Sequence, residues 1–103
     1  MIVVLVVVES SAEDIEALRD VFVEMERATL AEAGCHEYSF SQGISNPNQM
    51  RVVELWESMD ALSAHFATPH MANFNAALES RPPKSMTLKV HELGAELELP
   101  TPA

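Results

Sequence analysis

The stretch ELWESMDALSAHFATPHM, residues 54–71, places a carboxylate (Glu54), an indole (Trp56) and two imidazoles (His65 and His70) within eighteen positions. These groups suit proton transfer. A neutral imidazole of pKa near about 6.5 is poised at neutral pH to take a proton, and a carboxyl group becomes a base in the same range once burial raises its pKa. Two readings compete. Either the flanking elements gather the four side chains into one reaction site, or each has a quieter role. In the quieter reading Trp56 is core packing, Glu54 pairs with Arg51, His91 or a base of another chain, His65 is a surface or capping residue, and His70 hydrogen-bonds backbone. The elements that position them decide.

Residues Ile2 to Val8 form an unbroken β-branched and aliphatic run that reads as a strand. Ser10 or Ser11, each followed three residues later by Glu13 or Asp14, starts a helix. Ile15, Leu18, Phe22 and Met25 recur at helical steps along one face, and Gly34 supplies the stop. His36 to Gln42 alternates, with His36, Tyr38 and Phe40 on one side, and an Asn46-Pro47-Asn48 turn leads to a third strand, Met50 to Trp56. Period two puts Met50, Val52, Glu54 and Trp56 on one face, so the carboxylate sits beside the indole on an apolar surface. Ser58 caps a short helix bearing Ala61, Leu62 and Phe66, and Thr68-Pro69 restarts it by the Thr-cap, Pro-first rule. Arg81-Pro82-Pro83 ends the helical region, and Met86 to Leu93 is the fourth strand. The order implies an α+β ferredoxin-like sandwich, a four-stranded antiparallel sheet with helices on one face. Residues 1–93 make the domain; residues 94–103 are a tail whose Ala95, Leu97 and Leu99 alternate as an extra strand would, in contact with a partner chain.

Strand one is apolar on both sides: Ile2, Val4, Val6 and Val8 point one way, Val3, Leu5 and Val7 the other. Two helical segments cover one face of a sheet, so the second face would be a larger exposed patch than a soluble monomer normally tolerates. A second copy covers it economically, and at about 25 cal/mol per Å² a few hundred Å² supplies several kcal/mol of gross driving force. A homodimer with facing sheets is expected. The alternative is a central strand one buried by its own tail.

Bulk properties exclude other classes. The 103 residues suffice for one core, and no apolar run reaches the roughly 20 residues of a bilayer span. The apolar start lacks a basic flank and a cleavage site, so a cytoplasmic chain is expected. With six Lys and Arg against sixteen Asp and Glu, a net charge of −10, neither nucleic acid nor anionic membrane is an expected partner. The single cysteine, Cys35, makes no internal disulfide and fits a reducing compartment; as a strand neighbour of His36 it points to the opposite face and reads as a small buried hydrophobe. His36, His65, His70 and His91 show no recognised ligand spacing, so no metal site is expected.

These residues resemble a family. The apolar first strand, Gly34-Cys35-His36-Glu37-Tyr38, the Asn-Pro turn, Glu54-Leu55-Trp56-Glu57, Ala61-Leu62-Ser63-Ala64-His65 and Thr68-Pro69-His70 are similar to the antibiotic biosynthesis monooxygenase domain, a dimeric α+β barrel, from about Ile2 to Leu93. The resemblance implies a pocket under the helices. It also covers cofactor-free oxygenases of quinols and polycyclic phenols, haem-degrading enzymes and proteins without an assigned substrate, so fold and reaction are separable. The haem branch has an Asn in strand one and a haem-ligating His well into the second helical region; here strand one holds Val, Leu and Ile, the later helix offers Asn73, Phe74, Asn75 and Ala76, and only Trp56 of that set is present. What the resemblance implies is a small cofactor-independent monooxygenase, with O2 as co-substrate and no cofactor, acting on a quinol or phenol. His65 is its leading base or proton shuttle, His70 the second, and Glu54 a group that orients a histidine or acts as base. Trp56 and the rings of Phe66 and Phe74 wall the pocket, and Tyr38 donates a hydrogen bond to the substrate oxygen. The alternatives are a non-catalytic binding or stress-response module for a small aromatic metabolite and an isomerase or lyase with a His or Glu base.

Overall fold

The structure is a computed structural model and describes residues 1–102. Eight elements follow in order: β1 (Ile2–Glu9), α1 (Ala12–Ala17), α2 (Arg19–Leu30), β2 (Cys35–Gln42), β3 (Gln49–Trp56), α3 (Met59–His65), α4 (Pro69–Ser80) and β4 (Ser85–Glu92). The sheet is antiparallel in the order β2-β3-β1-β4, the ferredoxin-like arrangement expected.

The caps are those written in the sequence. Ser11 Oγ accepts from the Asp14 N–H at 3.1 Å, Ser58 Oγ from the Ala61 N–H at 3.2 Å, and Thr68 Oγ1 from the Met71 N–H at 3.2 Å, with Pro69 first in α4. The long first helix is interrupted once, at Leu18, whose φ of −97° and ψ of 7° leave the helical range. Its neighbours stay in register, because Leu18 N–H bonds the Asp14 carbonyl and Phe22 N–H bonds the Leu18 carbonyl. Ile15, Leu18, Phe22 and Met25 therefore all remain buried on one side.

Ile2, Val4, Val6 and Val8 of β1 lie with Met50, Val52, Glu54 and Trp56 of β3 under the helices, all of them buried. In β2 the expected alternation is broken by a bulge between Cys35 and Glu37. Tyr38 and Phe40 pair with Glu54 and Val52 on the helix side as expected, but the extra residue moves His36 off that face and brings Cys35 opposite Trp56. His36 is exposed, 3.5 Å from Glu57. Cys35 packs partly against the core, where burial, then the negative charges of Glu32 and Glu54, push its thiol up to about 11. On the free edge of β2, Glu26 Oε1 accepts from the Phe40 N–H at 2.7 Å and so occupies a donor that an edge strand otherwise presents.

The other sheet face, with Val3, Leu5, Val7, Val53 and Leu55, carries no helix, and Leu5 is exposed. The tail does not cover it: Leu97 and Leu99 are 86 % and 92 % exposed. β4 is uncovered on the helix side as well. Met86, Leu88 and Val90 pair with Val8, Val6 and Val4, yet all three stay exposed, since the helices pack most closely on the other side of the sheet's centre, α2 on β2 and α3 on β3. Among the described residues no helix is long and apolar enough to cross a membrane.

Candidate functional site

Between the sheet and α2 and α4 lies a cavity of about 110 Å³. Phe22, Phe40 and Phe74 form its aromatic wall, with ring centroids 4.9, 5.8 and 6.1 Å apart, and Met86 and Leu88 border it along β4. Its scale is near that of one aromatic ring, since apolar cavities of about 150 Å³ accept benzene. Three polar side chains reach it from the sheet and α3: Tyr38, Glu54 and His65.

His65 ends α3 and is only 2 % exposed, with the rings of Trp56 and Tyr38 at 5.0 and 5.6 Å. Its Nδ1 lies 2.7 Å from Glu32 Oε2, and the same oxygen lies 2.8 Å from His70 Nε2. A carboxylate oxygen of Glu32 accepts at both contacts when His65 is the Nδ1–H tautomer, and that tautomer leaves Nε2 with its lone pair as the ring nitrogen available to the cavity. Local chemistry builds this arrangement. The Thr68 hydroxyl that caps α4 also donates to the His65 carbonyl at 2.7 Å, so one oxygen ties the end of α3 to the start of α4 and sets the spacing of the two histidines. Glu32 sits in the loop after α2. That loop turns at Gly34, φ 82°, where a side chain would meet Ala61 Cβ at 2.7 Å, and the Gly34 carbonyl accepts from the Glu57 N–H at 2.8 Å.

Glu54 is buried, and its Oε1 accepts from Trp56 Nε1 at 2.9 Å. Burial holds its carboxyl above the usual carboxylate range, against the pull of the indole N–H and of His65. Tyr38 is paired with Glu54 across the strands; burial first, then the neighbouring carboxylates, push its phenol well above its ordinary range, so it stays protonated and able to donate.

Several predicted site residues lie elsewhere than the sequence suggests. Trp56 is wholly buried behind Glu54 and His65 and supports them instead of walling the cavity, because it sits at the strand end beneath α3. Glu54 meets this indole, and neither Arg51 nor His91. His70 binds a carboxylate, not backbone, and opens onto a different groove, between α2 and α4. Phe66 borders the cavity but is more than half exposed, whereas Phe74 lies within the aromatic wall. The four histidines do not assemble, but His65, His70 and Glu32 do: their three ligand-capable atoms lie within 4.8 Å of one another. Sequence reasoning missed Glu32. The available signal was an acidic residue just past the C-terminus of α2, where the helix dipole disfavours negative charge and a cationic or N–H partner is called for.

The fold and this pocket define a ferredoxin-like α+β domain with a polar cluster at one end of an apolar chamber. The chain belongs to the antibiotic biosynthesis monooxygenase family, whose family model matches residues 1–77. It is 33% identical over 72 residues to the Escherichia coli K12 protein named "Probable quinol monooxygenase YgiN", covering 62% of this chain and 69% of that one. Among solved structures it resembles the Deinococcus radiodurans protein described as a "putative antibiotic biosynthesis monooxygenase" (TM-score 0.88, 26% identity, 98% of this chain and 100% of that one). It shares the fold of Rv0793 from Mycobacterium tuberculosis (TM-score 0.81, 23% identity, 94% and 98%).

Proposed function

We propose that this chain is a small cofactor-independent monooxygenase that oxidises a quinol or phenolic aromatic substrate with O2. The observation that carries the proposal is His65, a buried imidazole held by Glu32 at Nδ1 with its other nitrogen left for an apolar, phenylalanine-lined cavity. Family membership and the name of the Escherichia coli relative support the same class.

In this reading a flat substrate stacks among Phe22, Phe40 and Phe74 with its hydroxyl toward the polar end. Tyr38 donates to the substrate oxygen and His65 Nε2 takes the proton, with Glu32 steadying the imidazolium. The anion then passes one electron to O2, the two radicals join in a C–O bond, and the O–O bond breaks. For an anthrone-type substrate one oxygen atom remains as a carbonyl, and the other leaves as water with both hydrogens of the oxidised carbon, so no external reductant is consumed. A dry chamber favours these steps by keeping competing water from the anion.

The working unit in this proposal is a homodimer in a reducing, cytoplasmic setting. The uncovered sheet face and the bare apolar side of β4 are surfaces that a second copy would bury. A second reading rests on Glu54, whose lifted carboxyl fits a base for oxygen-independent isomerisation.

Oxygen uptake with menadiol or an anthrone-type quinol in metal-free buffer separates these readings. Uptake above autoxidation that falls at least about 100-fold in His65→Ala supports the oxygenase. No enzyme-dependent uptake across such compounds overturns it, and product formed under strict anaerobiosis favours the isomerase.

A further inference from the structure

We propose that Glu32, His65 and His70 form a binding site for a borderline divalent cation of the Zn²⁺ type, and that filling it turns the cavity-facing nitrogen of His65 from a proton acceptor into a donor. The first half stands on geometry alone; the second rests on the base role given to His65 above.

The three ligand atoms come from separate places in the chain, the loop after α2, the last residue of α3 and the second residue of α4, yet lie within 4.8 Å of one another. Two of the gaps are already 2.7 and 2.8 Å. Around a four-coordinate ion with metal–ligand bonds of about 2.0–2.1 Å, ligand atoms lie about 3.3 Å apart. The carboxylate contacts must open slightly and the two imidazoles draw together. His65 is clasped between Trp56 and Tyr38, so the adjustment falls to Glu32, on a loop, and to His70, partly exposed in the first turn of α4.

Access exists from a groove other than the chamber. A groove of about 310 Å³ between α2 and α4 ends at His70 and is flanked by Asp20 and Glu24, which draw a cation toward the imidazole. Two imidazoles and one carboxylate without a thiolate favour Zn²⁺, Co²⁺ or Ni²⁺ over Mg²⁺ or Ca²⁺, and three protein ligands leave a position for water.

Occupation has a chemical consequence within one ring. A metal on Nδ1 needs the lone pair there, so the single proton of neutral His65 moves to Nε2, which faces the chamber. The nitrogen that takes the substrate proton is then already protonated. The ion acts as an inhibitor of the proposed reaction and not as its cofactor.

Titration of the full chain with Co²⁺ and Zn²⁺, followed by the visible Co²⁺ spectrum and by calorimetry, tests the site. The expected result is one ion per chain at micromolar concentration, weakened on the order of tenfold or more in Glu32→Gln and in His70→Ala, and unchanged in His36→Ala and His91→Ala. Glu32 also belongs to the loop after α2, so His70→Asn, on a partly exposed residue, provides a second variant, with circular dichroism verifying the fold. ¹⁵N spectra of the imidazoles should show the His65 proton moving from Nδ1 to Nε2 on Zn²⁺ addition. No saturable binding, or binding that survives in His70→Ala and His70→Asn or disappears with the exposed histidines, overturns the site. Metal binding without any oxygen uptake leaves the site standing and removes the oxygenase reading; uptake that Zn²⁺ leaves untouched while occupying the site removes the switch.

Discussion

The indole N–H of Trp56 donates to the buried carboxylate of Glu54 at 2.9 Å, two positions away on the same face of β3. The bond is the direct polar support of a carboxyl group that burial otherwise pushes toward its neutral form. Trp56→Phe keeps an aromatic ring but removes the donor. We expect a loss of about 1–3 kcal/mol in urea unfolding, read by circular dichroism because Trp56 is the single tryptophan, and a further rise of the Glu54 pKa. Unchanged stability would mean that the indole contributes volume only.

Glu54 makes stability depend on pH in a defined direction. Its folded-state pKa lies above its unfolded value, near 4.5, so its contribution is fully present below that value and is lost as pH rises through the folded one. Glu54→Gln, which resembles the protonated form, should melt higher than the parent at pH 7 and close to it at pH 4. Thermal scans at the two pH values check this; a variant equally shifted at both would show that ionisation of Glu54 is not the cause.

The Thr68 hydroxyl serves two partners, the Met71 N–H and the His65 carbonyl. Thr68→Val conserves shape and removes both bonds. A loss of about 1–2 kcal/mol is expected from the cap. Loosened spacing between the two histidines should also appear as broadened imidazole signals in ¹⁵N spectra, an effect that a cap acting on α4 alone would not produce at His65.

Cys35 tests the bulge. Its inward turn beside Trp56 leaves the thiol, pushed up to about 11, almost entirely protonated at neutral pH. Iodoacetamide modification should be slow at pH 8 and accelerate only as pH approaches about 11. Rapid alkylation near pH 8 would place the thiol on the outer side of the sheet, where unbroken alternation from His36 would put it.

The regular parts of this molecule were legible because their causes are local. Ser11, Ser58 and Thr68 announce their helices by chemistry confined to three or four residues, and the alternation of Met50, Val52, Glu54 and Trp56 states which side of β3 is dry. The bulge at Cys35 was hidden because it arises from a register between strands, and the break at Leu18 carries no glycine or proline to mark it. At the site, sequence spacing brought His65 and His70 forward but not their shared partner, Glu32, which lies 33 and 38 positions away and is delivered by the Gly34 turn. The bare side of β4 was equally hidden, since periodicity assigns a residue to a side without telling how far the helices extend.

That bare side has a thermodynamic corollary. Met86 and Leu88 are at once a margin left open to solvent and a border of the chamber, so whatever shields the margin also closes the chamber. Occupancy of one is then linked to occupancy of the other, and reciprocity requires each to strengthen the other by an equal factor. If the shield is the second copy proposed above and the occupant the proposed aromatic substrate, dilution should release that substrate, and saturating the chamber should hold the two copies together.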